Sequence, residues 1–159
     1  MLNRENMHPY QERCVAFIKE KRRCGLLLEM GLGKSVSTLT AIVDLLEDFS
    51  VRRVLVIAPL RVANSVWAQE VKKWRHLLGL RVSVCTGSEK QRLTALHMDA
   101  DVFVINRENI TWLVEKKRAK WPFDMVVIDE SSSFKNATTK RFKSIRKILP
   151  DTEYMVLLT

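Results

Sequence analysis

The chain has 159 residues, enough for one domain that buries roughly 68–70% of the surface of its unfolded form. Its 47% hydrophobic and 28% charged content excludes a disordered chain, and its longest apolar runs are far too short for a membrane helix. The formal charge of +9 points to a polyanionic partner, with nucleic acid first, while the polar opening MLNRENMHPY argues against a signal peptide.

A first helix is expected over 10–21, ahead of a short apolar strand, CGLLLE (24–29). Next come a helix over 34–48, the strand RVLVIAP (53–59) and a helix over 63–78. The strand RVSVCT (81–86) precedes a helix over 89–97, and DVFVIN (101–106) precedes a helix over 111–120. The series closes with DMVVIDE (124–130), a helix over 138–149 and YMVLLT (154–159). Near-continuous Val/Ile/Leu strands alternating with helices predict a mostly parallel central sheet covered on both faces, an α/β fold in one continuous domain. Right-handed crossovers place the loops after the strands on one rim, where an α/β sheet binds ligands. The polar stretches fall on that rim: Gly31–Ser35, Pro59–Arg61, Thr86–Ser88, Asn106–Arg107 and Asp129–Glu130.

The first of these, EMGLGKS (29–35), reads as a phosphate loop with one departure, Leu28 where the strict G-x-x-x-x-G-K-[ST] pattern has glycine. Gly31 and Gly33 allow the turn; backbone N–H groups and the dipole of the following helix favour a phosphate. Lys34 is then expected to reach the β and γ phosphates and the Ser35 hydroxyl to ligate Mg²⁺. Its acidic counterpart is the end of MVVIDE. Asp129 suits Mg²⁺ through the ion's water shell, and Glu130 is the candidate base for an attacking water.

With these two stretches in place, the chain resembles the first RecA-like lobe of a superfamily-two helicase, specifically of the phage or bacterial Swi/Snf-type DNA translocases. EMGLGKS is similar to the family's motif I, which asks for no glycine at Leu28. HPYQ (8–11) resembles its Q motif, VLVIAPLRVANSVWAQE (54–70) motif Ia and VFVINREN (102–109) motif Ib. VVIDESSSFKN (126–136) resembles motif II, and MVLLT (155–159) the start of motif III. The resemblance implies a RecA-like P-loop fold, ATP and Mg²⁺ as cofactors and DNA as partner. Lys34, Asp129 and Glu130 would be the catalytic residues. Gln11 would read adenine through its carboxamide, with Met7 and Tyr10 near the base, and Gly31, Leu32, Gly33, Lys34, Ser35 and Val36 would line the nucleotide. Ser131 and Ser132 depart from the family's usual Ala-His, whose histidine helps couple hydrolysis to motif III.

Backbone phosphates of the nucleic acid would meet Pro59, Arg61, Asn64 and Ser65, then Thr86, Gly87 and Ser88 followed by Lys90 and Arg92. Asn106, Arg107 and Lys135 would continue the track. Trp67, Val71 and Trp74 recur at helical spacing and read as a core-facing stripe, as do Trp112 and Trp121. The three cysteines, Cys14, Cys24 and Cys85, are scattered and odd in number, which argues against a disulfide framework or a zinc site and suits a reducing cytoplasm, bacterial or that of a phage host. His8, His76 and His97 lack metal-ligand spacing and read as structural or surface residues.

By the same resemblance, residues 1–159 are one N-terminal ATP-binding lobe that stops within motif III, with the second lobe absent. The motif III strand is then internal, lying between those of motifs I and II. An exposed apolar face with a tendency to self-associate is also expected. The same residues are also compatible with a non-catalytic nucleic-acid-binding module of the same fold and with the lobe of an RNA-directed helicase.

Overall fold

The computed structural model describes residues 1–27, 33–131 and 139–159. Along the chain come α1 (Pro9–Lys21), β1 (Arg23–Leu26), α2 (Lys34–Glu47), β2 (Val54–Ala58), α3 (Leu60–Lys73), β3 (Val82–Cys85) and α4 (Glu89–Leu96). They are followed by β4 (Val102–Asn106), α5 (Ile110–Lys117), β5 (Met125–Ile128), α6 (Lys140–Ile148) and β6 (Tyr154–Leu158).

The strands are short apolar runs because both of their faces are covered. In VLVIA, Val54, Val56 and Ala58 enter one core with α1, α2 and α3, whereas Leu55 and Ile57 enter a second core beneath α4, α5 and α6. The period of two thus divides one strand between two hydrophobic layers. Each fully buried Val, Leu or Ile contributes about 1.5–3 kcal/mol, so these layers dominate the favourable side of folding. Trp67, Val71 and Trp74 belong to the first core and Trp112 and Trp121 pack against the second, as helical spacing predicts.

The six strands form one sheet in the order β1-β6-β5-β2-β4-β3, with every pairing parallel. The expected mostly parallel sheet is therefore wholly parallel among the described strands. The closing strand is internal as expected: β6 pairs with β1 on one side and β5 on the other. On the second face, α6 and the ends of β1, β5 and β6 enclose an apolar hollow of about 580 Å³, lined by Cys24, Ile128, Phe142, Ile145 and Met155 among others.

Several helix bounds differ from those read by periodicity, each for a local reason. Helix α3 begins at Leu60 rather than near residue 63, because Pro59 carries a helix-compatible φ of −58° and has no N–H to satisfy. It ends at Lys73 because Trp74 is extended and bridges to Leu2, with Arg75 N donating to the Leu2 carbonyl. A 3-10 turn, Arg75–Leu77, takes up the rest of the expected helix. Likewise α5 stops at Lys117 and passes into a 3-10 turn, Arg118–Lys120. The start of α6 is set by the Thr139 hydroxyl, which accepts from Phe142 N at 3.2 Å.

The N-terminal segment is fastened to this framework by charge. Arg4 pairs with Glu12 of α1 and Asp44 of α2 at 3.0 and 2.8 Å, and Lys19 reaches Asp44 at 3.2 Å. Burial alone would raise the Asp44 pKa, but the hydrogen bonds from Arg4 and Lys19 outweigh it and hold the carboxyl below its ordinary range. Beside this cluster the Thr40 hydroxyl lies 2.7 Å from the Val36 carbonyl and 2.8 Å from His76 Nε2. The hydroxyl has one proton. Donated within the helix to Val36, it leaves His76 Nε2 to donate to Thr40, and the buried Nδ1 accepts nothing among the described residues. Burial, and then the nearby Arg4 charge, push the His76 pKa below its ordinary 6.5. The other partners near the ring, Glu12 and Asp44, act in the opposite sense and are outweighed.

A histidine whose folded-state pKa is depressed binds its proton more readily unfolded, so its contribution to stability is complete above the unfolded value and falls as pH drops. Unfolding free energy should therefore decline from pH 7 toward pH 5.5, ahead of carboxylate protonation. His76→Gln should flatten that window, as read by chemical denaturation at each pH; equal slopes in the two proteins would rule out His76 as the source.

Candidate nucleotide and nucleic-acid site

The carboxyl ends of the parallel strands bring Pro59–Arg61, Thr86–Ser88, Asn106–Arg107 and Asp129–Glu130 to one rim, where they meet the start of α2 at Gly33–Ser35. Gly33 lies at the N-cap of α2 with φ 71°, in the left-handed region that glycine enters without strain. A Cβ at Gly33 would run into the Gln11 carboxamide and crowd Val36. Glycine at this position therefore allows two motifs far apart in sequence to touch. Gln11 is itself buried, and its Oε1 accepts from His8 N at 2.8 Å, which anchors the side chain at the start of α1. Gly31, Leu32 and Leu28 lie outside the described residues, as do Lys135 and Ser132.

Lys34 opens α2, and its ammonium lies 3.3 Å from Asp129 Oδ1. Asp129 follows β5 directly, and its backbone N–H donates to the Ile57 carbonyl at 2.7 Å, extending the sheet register by one residue. The carboxylate is nearly enclosed, at 6% side-chain exposure. Its Oδ2 accepts from Trp67 Nε1 at 3.2 Å, inside the protein. Oδ1 has the Lys34 charge close by but accepts no hydrogen bond of good geometry among the described residues. The ammonium neutralises the charge without filling the acceptor direction. A buried carboxylate oxygen with an unused lone pair, beneath a lysine that phosphates can draw away, fits a hydrated Mg²⁺. Ser35 sits half-buried in the first turn of α2, where its hydroxyl can join Asp129 as a ligand.

Trp67 carries a role that periodicity did not reveal. It belongs to the core stripe, yet its indole N–H also orients the acid of motif II. The signal was present in the residue type, since a buried Trp needs a partner for its N–H, but nothing local identifies that partner as Asp129.

Glu130 is exposed and adopts φ 55°, a left-handed conformation that is uncommon for a residue with a side chain. Its Oε2 lies 3.9 Å from Arg107 Nη1. Arg107 also approaches Glu108 at 3.4 Å, and Glu108 is reached by Arg141 at 3.8 Å. Burial acts to raise the Glu108 pKa, but the hydrogen bond from Asn106 and the neighbouring cations hold it below the ordinary value.

Of the residues expected to meet the base, Tyr10 stacks on His8 with ring centroids 5.5 Å apart, while Met7 is buried in the first core, its sulfur 3.6 Å from the Thr40 hydroxyl. Val36 is buried in the first core, close behind Gly33.

The phosphate track divides between outward-facing groups and groups occupied internally. Pro59 caps α3, and Arg61 and Asn64 are exposed along its first turns; Asn64 accepts from the Thr86 hydroxyl at 2.7 Å, which ties two rim loops together. The Ser65 hydroxyl donates back to the Arg61 carbonyl at 3.0 Å. Gly87 has φ 92°, and a Cβ there would meet the Gln91 side chain; Ser88 caps α4, its hydroxyl accepting from Gln91 N at 3.2 Å. Lys90 is exposed, but Arg92 is held in place: its guanidinium donates to the Gly87 carbonyl at 2.6 Å and lies 4.3 Å from the Trp112 ring. Asn106 is buried, donating to Glu108 at 2.9 Å and accepting from Asn109 at 2.9 Å, so it shapes its loop from inside.

Cys14, Cys24 and Cys85 are free thiols, and burial pushes the Cys85 pKa up to about 12. Among the described residues there is no group of three metal-ligating side chains and no helix long and apolar enough to cross a membrane. His97 bonds the Leu93 carbonyl at 2.7 Å on the surface, and His8 and His76 have the structural places described above.

Known proteins resemble this chain in sequence and in fold. Protein p41 of Acyrthosiphon pisum secondary endosymbiont phage 1 is 39% identical over 130 residues, covering 80% of this chain and 28% of p41. The chromatin remodeling factor mit1 of Schizosaccharomyces pombe is 32% identical over 148 residues, covering 86% of this chain and 10% of mit1. Among solved structures, the Sulfolobus solfataricus SWI2/SNF2 ATPase core in complex with dsDNA matches with a TM-score of 0.82 at 26% identity, over 97% of this chain and 32% of that one. The UvsW helicase of bacteriophage T4 shares the fold, with a TM-score of 0.72 at 22% identity over 96% of this chain and 51% of UvsW. The chain thus spans less than a third of either curated relative. A family model described as the SNF2-related domain matches residues 10–159, and the chain belongs to that family.

Proposed function

We propose that this chain is the ATP-binding lobe of an ATP-dependent DNA translocase or helicase, in which the intact protein couples ATP hydrolysis to movement on DNA. The observation that carries this reading is the meeting of Lys34 and Asp129, 3.3 Å apart at the rim, beside a buried carboxylate oxygen that accepts no hydrogen bond among the described residues. Without nucleotide, Lys34 neutralises Asp129. Arrival of the β and γ phosphates offers the ammonium a stronger anion, and Lys34 swings to it, uncovering Oδ1. Asp129 and Ser35 are the residues that would hold Mg²⁺, which supplies charge neutralisation between the phosphates when bound. Trp67 keeps Oδ2 fixed meanwhile, so the carboxylate presents one oxygen only. Glu130, exposed one residue further on, is placed to take the proton of an attacking water. Gln11, held against Gly33, has a carboxamide suited to the donor and acceptor pattern of adenine.

The partner is DNA, gripped mainly through its backbone. The charge of +9, the N-terminus of the 14-residue α3 with exposed Arg61, and the match to an archaeal core solved on double-stranded DNA support this. Lys90 and Arg107 extend the cationic track along the rim. Residues 1–159 form one lobe, and in this family the arginines that stabilise the transition state sit on a second. Such arginines contribute on the order of 10³–10⁵ in rate, so these residues alone should turn over very slowly.

Titration with a fluorescent ATP analogue in Mg²⁺ should give saturable binding that Lys34→Ala weakens roughly tenfold or more, as expected for loss of a charge-assisted contact. Unchanged affinity in that variant would exclude the phosphate loop as the site. Any residual hydrolysis should vanish in Glu130→Gln. The logarithm of the duplex-DNA binding constant should fall by about 0.9 per phosphate neutralised for each log unit of salt, and duplex should compete better than RNA of equal length. A salt-independent affinity, or preference for RNA, would remove DNA as the partner.

A further inference from the structure

We propose that Arg107 is a positioning residue for Glu130 that makes the candidate base sense nucleic acid. This deepens the ATPase and DNA reading above and rests on it. Glu130 leaves the end of β5 in the left-handed conformation, with its side chain half exposed and Arg107 Nη1 3.9 Å away. The same guanidinium stands on the rim just after β4, in the loop of the phosphate track, and is itself partly exposed. Arg107 is therefore shared between a carboxylate of the catalytic strand end and any phosphate that reaches the rim.

The two claims on Arg107 are unequal in strength. A separation of 3.9 Å is a loose ion pair, beyond direct hydrogen-bond distance, whereas a phosphate can take two parallel N–H donors from one guanidinium. Arg107 cannot retreat inward to escape the competition. Glu108 holds its Nε at 3.4 Å, and Glu108 is anchored in turn by Asn106 at 2.9 Å and Arg141 at 3.8 Å. The guanidinium thus stays at the rim while Glu130 is displaced from it. Without DNA, Arg107 holds Glu130 toward β4; with a phosphate bound, Glu130 is released to turn toward the water it activates. Coupling of this kind is reciprocal: if phosphate displaces Glu130, then Glu130 must weaken phosphate binding by the same factor.

That reciprocity allows a test independent of turnover. Binding of a labelled DNA duplex to the 159-residue chain is followed by fluorescence anisotropy at low salt, for wild type, Glu130→Gln, Arg107→Ala and the double variant, each checked for folding by circular dichroism. Glu130→Gln should tighten duplex binding roughly two- to five-fold, the range expected from a partly exposed ion pair. Arg107→Ala should weaken binding, and adding Glu130→Gln to it should change nothing further. Arg107→Lys, which keeps the charge, should retain part of the Glu130→Gln effect. Equal tightening by Glu130→Gln in both backgrounds would reduce Glu130 to a general negative charge and overturn this inference, leaving the DNA reading intact. If wild type fails to bind duplex at all, the DNA reading falls and this inference with it.

Discussion

The buried carboxylate of Asp129 is the constraint around which the rim is built. A charge at 6% exposure is tolerated only with partners, and among the described residues it has two from different parts of the chain: Lys34 at 3.3 Å and Trp67 at 3.2 Å. Both partners depend on the sheet. The hydrogen bond from Asp129 N to the Ile57 carbonyl fixes how far the acid stands beyond β5, and β2 sets the same level for the start of α3, which carries Trp67. The order of strands thus decides whether a lysine, an indole and a carboxylate converge or are scattered.

Around that centre the proposed nucleotide side and the proposed nucleic-acid side share structural parts. Helix α3 presents Arg61 and Asn64 near its exposed end and Trp67, two turns in, to Asp129. The loop after β4 presents Arg107 to the rim and to Glu130. Each acid of the strand end is therefore contacted by an element that also faces the track. Coupling between two ligands needs such shared elements, and a packed core transmits a shift in one helix as a rigid displacement rather than absorbing it.

Much of this was legible in the sequence because the physics involved is local. Buried parallel strands require unbroken apolar runs, so VLVIA, VFVIN and MVVI declared themselves, and the rim followed from the handedness of crossovers. Gly33-Lys34-Ser35 and Asp129-Glu130 were readable as candidates because phosphate and metal chemistry demand particular residue types at strand ends, and the structure brings Lys34 to Asp129. Helix ends were less legible: α3 stops at Trp74 because Leu2, more than seventy residues earlier, pairs with that stretch, and no window of neighbours contains that information. Asn106 looked like a phosphate ligand by position, yet is occupied with Glu108 and Asn109 inside its loop.

The sequence by itself determined the class of fold, the polarity of the rim and the identity of the lysine and the two acids, since each depends on residue type and on spacing along one strand or turn. Only the tertiary structure decided which distant groups act on them: Trp67 on Asp129, Gln11 against Gly33, Arg107 beside Glu130. Those pairings span 62, 22 and 23 residues and are set by strand order and helix packing. Periodicity reports which face a side chain takes and stays silent on what waits across the gap.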